Sequence, residues 1–253
     1  MNQSVVKALK LLDLFIPEPE LSLADVARKA DMSKPTAYRL LVSLEDAGFL
    51  TKVKYTDQDI RYRLGLKILE LGNIVSERLE LRKVALPHMQ NLCKEIDEVV
   101  HLVVRDGNEA VYIEKVESTQ AIRLFTRVGK RTPLHAGSGP KLLLAFMTRE
   151  EQKRILSQVP LLPVTSQTPI EPDELLSQIE CILRQGFATS VSEQDVDTIG
   201  ISYPIYDFKG NVIAALGVSG LKYRFSGERK VMMQQKTMEA AAQISADLGY
   251  LRQ

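Results

Sequence analysis

Residues 133–141 read Pro-Leu-His-Ala-Gly-Ser-Gly-Pro-Lys, placing Ser138 between two glycines with His135 three positions upstream. A serine hydrolase is the first chemistry to test against this pattern. A nucleophile elbow requires G-x-S-x-G, and here the glycines adjoin the serine, with only His88 and His101 as other bases. The stretch also lacks the G-x-x-x-x-G-K-[ST] spacing that cradles nucleotide phosphates, so neither a hydrolase nor an ATPase is expected. It does offer a backbone corner. A strand runs into Ala136–Gly139, and Pro140 opens the apolar helix that continues through Leu142–Ala145. Glycines let a ligand approach the main chain, and a helix start presents N–H groups and partial positive charge, which suits a carboxylate or phosphate. A tight strand-to-helix turn that needs glycine for its shape alone accounts for the same residues equally well.

Metal chemistry finds weaker support. His88, Cys93 and His101 fall in neighbouring segments, but His88 and Cys93 are five apart on a helix and do not share a face. A partly exposed histidine and a buried core cysteine are the simpler reading, and no metal or cofactor is expected. Cys93 and Cys181 show no CxxC spacing.

Basic residues concentrate near the N-terminus. On one segment Lys34, Thr36, Ala37, Tyr38, Arg39 and Ser43 are expected on the side away from Leu40, Leu41 and Leu44. Small residues allow close approach to DNA, hydroxyls and Arg39 can read base edges, and Lys34 can meet a phosphate. Lys52, Lys54, Arg61, Arg63 and Lys67 then face only Asp57 and Asp59, a local excess of +3 in a chain whose net charge is +1. Ser22 and Ser33 stand at expected helix starts, where N–H groups hold phosphates. The alternatives are a three-helix scaffold with solvated lysines or a protein-binding winged helix; the distribution of charge favours DNA.

The elements that must position these groups follow from periodicity and punctuation. Val5, Ala8, Leu9, Leu12 and Phe15 share a helical face that ends at Ile16-Pro17-Glu18-Pro19. Ser22 caps a second helix bearing Leu23, Val26, Ala27 and Ala30; Ser33 caps a third, which runs to Ala47 with Pro35 in its first turn and Gly48 closing it. Phe49–Lys54 and Ile60–Leu64 alternate as a hairpin. Three helices and a hairpin make a winged helix-turn-helix over residues 1–65. A linker helix is expected over 66–85, broken at Pro87 before a new helix carrying Met89, Leu92, Cys93 and Ile96. Strands at Val99–Val104, Glu109–Val116, Ile122–Arg127, Phe187–Ser190, Gly200–Tyr206 and Val212–Ser219 alternate with helices near Arg149–Ser157, Pro172–Gln185 and Glu228–Leu248. Residues 86–253 are therefore expected to form an antiparallel sheet covered by helices, making an α+β protein of two domains. Ser202, Gly217 and Ser219 should meet on the later strands. Met1–Phe15 carries Lys7 and Lys10 and is not a signal peptide, and no apolar run approaches the ~20 residues that cross a bilayer, so a cytoplasmic protein with no membrane partner is expected.

These residues carry a resemblance. Ser4–Leu9, Met32–Leu41, Leu44–Leu50 and Tyr62–Gly65, then Pro133–Lys141, Pro204–Asp207 and Gly217–Gly220, resemble in order the motifs of the IclR family of bacterial transcriptional regulators. The resemblance covers essentially the whole chain. It implies a C-terminal domain like GAF and PAS sensor folds, whose pocket is lined by the glycine loop and the last strands. Carried onto this sequence, Ala136, Gly137, Ser138, Ser202, Gly217 and Ser219 are the effector-binding candidates. Glu193 and Asp195 are added as secondary candidates, although simple solvation in a polar loop is the favoured reading of both. The chain departs from the family at Gly217, where many relatives carry a hydroxyl, and in its acidic stretch Glu193–Asp197. The implied partners are a pseudo-palindromic double-stranded DNA operator, a small organic acid effector, and further copies of the chain in a homodimer or homotetramer. Ligand binding is then expected to alter the placement of the DNA-binding heads, with repression and activation both open.

Overall fold

The helical periodicity at the N-terminus becomes α1 (Gln3–Asp13), α2 (Leu23–Lys29) and α3 (Lys34–Asp46) in a computed structural model that describes residues 3–77, 80–121 and 126–251. The chain divides into two units, Met1–Leu79 and Glu80–Gln253, each with its own core. In the first, a complete capping box starts α2: Ser22 Oγ accepts from the Asp25 N–H at 3.2 Å, and the Asp25 carboxylate accepts from the Ser22 N–H at 3.4 Å. Asp31 takes a left-handed conformation (φ +48°) to make the turn into α3. Gly48 does the same (φ +76°) just beyond the end of α3. Leu11, Phe15, Val26, Ala37, Leu41, Leu44, Leu50 and Tyr62 are buried together beneath these helices.

Strands β2 (Leu50–Lys54) and β3 (Ile60–Leu64) pair antiparallel, with Lys52 opposite Tyr62 and Thr51 opposite Arg63. A short strand absent from the sequence reading, β1 (Leu21–Ser22), pairs on the other edge of β3, with Leu21 opposite Tyr62. Two residues are too few to show alternation; only the partner strand reveals them.

Two helices follow, α4 (Leu66–Glu77) and α5 (Glu80–Ile96). The expected break at Pro87 is corrected: α5 continues through it. Pro87 and Lys83, whose carbonyl loses its helical partner there, are both exposed, so water can satisfy the orphaned group.

The second unit is built on one six-stranded antiparallel sheet. Its strands are β4 (Val99–Asp106), β5 (Glu109–Val116), β6 (Arg131–Pro133), β7 (Ala188–Val191), β8 (Thr198–Tyr206) and β9 (Val212–Leu221), in the order β6-β5-β4-β9-β8-β7. Helices α6 (Ser138–Ala145), α7 (Arg149–Gln158), α8 (Pro172–Gln185) and α9 (Gly227–Asp247) complete it. Strand alternation divides the side chains between the two faces. Val100, Leu102, Ile201, Tyr203, Leu216 and Val218 pack with α5 and α9, whereas Val103 and Ala215 pack with α6, α7 and α8. The α+β class with an antiparallel sheet covered by helices is as the sequence indicated. Residues 122–125 of the expected strand Ile122–Arg127 lie outside the described residues, and 126–127 are not in a strand. The outer partner of β5 is β6, the short strand that leads into the glycine corner.

Candidate functional site

The first unit presents a polar, basic face. Lys34, Thr36, Tyr38, Arg39 and Ser43 are exposed on α3, but Ala37 is fully buried at 0% exposure, which corrects its assignment to the outer face. Ala37 packs with Leu41 and Leu44, one and two helical turns along. Ser33 precedes α3 without capping it; its hydroxyl lies 2.9 Å from Thr36 Oγ1. Ser22 is committed to the capping box, donating to Asp25 at 2.6 Å. The wing cations divide into two kinds. Lys52 pairs with Glu45 at 3.0 Å and lies over the Tyr62 ring; Lys54 pairs with Asp57 at 2.5 Å, and Arg61 with Asp59 at 3.0 Å. The Glu45 hydrogen bond raises the Lys52 pKa, keeping it charged. Lys34, Arg39 and Arg63 make no ion pair among the described residues. Solvated pairs of the first kind contribute ~1 kcal/mol or less, so an incoming phosphate can displace the carboxylate cheaply.

In the second unit the start of α6 meets the sheet at a cavity of about 40 Å³. Gly137, Ser138, Asp195, Ser202, Gly217 and Ser219 line it, as do His101, Tyr112, Ser190, Gln194 and Gly200, which are not among the effector-binding candidates of the sequence analysis. Alternation on β8 and β9 puts Gly200, Ser202, Gly217 and Ser219 on this one face. Ser138 Oγ lies 2.8 Å from Ser202 Oγ, stitching the helix start to the sheet. Gly137 has φ +96°, a backbone shape that favours glycine, and a Cβ there would press on the Gln194 side chain. The Gln194 amide, in turn, donates to the Ala136 carbonyl at 2.8 Å.

Two candidates stand outside the lining. Ala136 is buried behind the wall, and its carbonyl is occupied by Gln194. Glu193 is neither solvated nor facing the cavity: at 7% exposure it takes Lys141 Nζ at 2.5 Å and the Gly137 N–H at 2.9 Å. Lys141, 2% exposed, also donates to Gln178 at 2.6 Å. A carboxylate of the protein thus already occupies the first N–H of the glycine corner. The N–H groups of Ser138 and Gly139 remain, since the first amides of a helix have no partner within it and Pro140 has none to offer. The buried lysine was unreadable from sequence because it interrupts an apolar run as a solvated residue would.

His101, weighed in the sequence analysis only as a base or a metal ligand, is a buried residue of the cavity wall. It lies on β4 opposite Gly217, 5% exposed, with Nε2 2.6 Å from Ser219 Oγ and the ring edge-on to Tyr112. Burial, reinforced by Lys130 and Lys115, lowers its pKa to about 3, so the ring is neutral near pH 7. Desolvation pushes Tyr112 to about 12, against a lowering hydrogen bond to Gln194. Among the described residues no group of three or more histidine, cysteine, aspartate or glutamate side chains could hold a metal, and no helix is long and apolar enough to cross a membrane.

One chain thus carries a winged helix-turn-helix and an α+β unit with a cavity at the start of α6. Comparison with known proteins defines the family. A family model described as "IclR helix-turn-helix domain" matches residues 4–54, and one described as "Bacterial transcriptional regulator IclR C-terminal" matches residues 74–246. The HTH-type transcriptional regulator KipR of Bacillus subtilis is 40% identical over 249 residues, 98% of each chain. The crystal structure of the Thermotoga maritima IclR superposes with a TM-score of 0.78 at 33% identity, covering 99% of this chain and 100% of that one. An IclR homologue from Microbacterium hydrocarbonoxydans, solved in complex with 4-hydroxybenzoate, gives a TM-score of 0.82 at 29% identity over 97% and 98% of the two chains. The chain belongs to the IclR family of bacterial transcriptional regulators.

Proposed function

We propose that this regulator binds a pseudo-palindromic operator through α3 and the wing, and that a small organic acid in the cavity at the start of α6 controls the affinity. The observation that carries the reading is the exposed face of α3, where Lys34, Thr36, Tyr38 and Arg39 are solvent-facing and both cations lack an ion-pair partner among the described residues. In this reading α3 enters the major groove and Arg39 reads base edges, while Lys52, Lys54, Arg61 and Arg63 grip the backbone, with Ser22 and Ser33 near it.

The chain acts as a homodimer or homotetramer, because one winged helix covers too little DNA for tight specific binding. In support, Val5 and Leu9 on α1, and Leu66, Leu69 and Ile74 on α4, are exposed apolar residues. The acid is held by the helix start and by Ser138, Ser202 and Ser219, beside Gly137, Gly217 and Asp195. Ala136 and Glu193 shape the corner from behind. The cytoplasm is the compartment in which such a protein meets its operator.

Selection of bound duplexes from a random-sequence pool tests the reading. The expected product is a pseudo-palindrome with half-sites about 10 base pairs apart, or a multiple of that. Salt-dependent retention without sequence enrichment would contradict it.

A further inference from the structure

Met238, Ala241, Ala242 and Ala246 recur at helical spacing and share one side of α9. Between that side and the margin of β8 lies a groove of about 530 Å³. β8 is an edge here because its partner β7 begins only at Ala188, opposite Ser202. The Ser192 N–H bonds to the Thr198 carbonyl, and hydrogen-bonded pairs alternate along an antiparallel ladder. The even-numbered residues of β8 therefore turn their backbone groups to this side, and past Ser202 these are Pro204 and Tyr206. The Tyr206 N–H is met by Ser245 Oγ of α9 at 3.0 Å. The Pro204 carbonyl has no hydrogen-bond partner among the described residues, and it lines the groove. Tyr203 adds a second open group. It is nine-tenths buried, at 9% exposure, with its ring stacked on Phe187 at 5.3 Å. Its hydroxyl makes no hydrogen bond among the described residues, yet it is not sealed from solvent.

We infer that this groove is a second ligand site of the C-terminal unit, and that it takes a neutral aromatic alcohol. Alternation on β8 sets it apart from the cavity at the start of α6, since Ser202 lines that cavity and Tyr203 lines this groove. Among the described residues no charged side chain lines it, so a carboxylate or phosphate would lose water without gaining a counter-ion. A ligand hydroxyl can accept from Tyr203 and donate to the Pro204 carbonyl. Burial raises the Tyr203 pKa, so the phenol keeps the proton it donates. The rest of the wall is apolar and aromatic: Tyr206 and Tyr250, stacked at 4.7 Å and 20°, face the alanines of α9 across the groove, which suits a flat ring. The volume is that of a small-molecule site.

The test is calorimetric titration of the full chain with three matched probes: 4-ethylphenol, ethylbenzene and 4-ethylbenzoate. The phenol is expected to bind about tenfold tighter than either of the others, the worth of its hydrogen bonds against a bare ring and of its neutrality against an anion. Tyr203→Phe keeps the stacked ring and removes only the hydroxyl; it should weaken 4-ethylphenol about fivefold and leave ethylbenzene unmoved. Ala242→Phe, at an exposed position of α9, fills the groove and should abolish binding of all three. Location is read independently in the wild-type chain, with ¹³C-methyl methionine, by a shift of the Met238 methyl on adding 4-ethylphenol. A preference that survives in Tyr203→Phe, binding of 4-ethylbenzoate as tight as that of the phenol, or an unmoved Met238 would overturn the inference. So would no binding of 4-ethylphenol at low millimolar concentration. None of these results bears on acid binding in the other cavity.

Discussion

Lys141 and Glu193 are buried, paired and tied to both Gln178 and the Gly137 N–H, so one charge cannot leave without stranding the other. Lys141→Met is expected to destabilise the second unit by about 3–5 kcal/mol, and Lys141→Met with Glu193→Leu by markedly less. Denaturant unfolding of both variants measures this, and equal losses would show that the pair acts through packing alone. His101 makes a prediction in pH. Its folded-state pKa of about 3 lies below the ordinary 6.5, so the unfolded chain binds the extra proton between those values. The stability from its neutral burial is complete above pH 6.5 and is lost as pH falls towards 3, by up to about 1.4 kcal/mol per unit. His101→Gln should flatten that acid limb; a slope unchanged between pH 6.5 and 4 would mean that other groups set it.

At the scale of elements, α3 and the wing should separate in their effects. Arg39→Ala is expected to erase sequence preference, whereas Arg63→Ala should weaken binding to all duplexes alike and lower the salt slope by about one. Binding measured over a range of salt on specific and random DNA distinguishes them, and uniform loss from both would remove α3 as the reader. These elements were largely legible in the sequence. The capping serine at 22, the proline at 35 and the leucine spacing marked α2 and α3, and alternation marked β2 to β5 and β7 to β9. Legibility failed where tertiary structure decides. Ala37 sits one turn before Leu41 yet is small enough to read as either face, and the Pro87 helix persists because its orphaned carbonyl can meet water. β1 and β6 are too short to show a period. Of the cavity, the glycine corner and the serines of β8 and β9 could be read from spacing. His101 could not, because a lone histidine on a strand is silent until the pairing that sets it beside Ser219 is known. Glu193 misled because an acidic loop reads as solvated, and only its lysine partner, 52 positions away, reveals the burial.

At the scale of the molecule, the proposed coupling of the two units is one of free energies: whatever ligand binding does to DNA affinity, DNA must do equally to ligand affinity. The proposed oligomer enters the same balance. Replacing Leu9 or Leu69 by Glu is expected to dissociate the assembly in sedimentation and to lower operator affinity by at least about tenfold, since two linked heads gain from effective concentration. The most direct measurement is fluorescence anisotropy of a selected operator titrated with the full chain, with and without a small organic acid that binds the free protein, paired with titration of that acid into the free protein and the protein–operator complex. A change of about fivefold or more in operator affinity is expected, with the same factor in acid affinity. An acid that binds the free protein and the complex equally, with operator affinity unmoved, would contradict it.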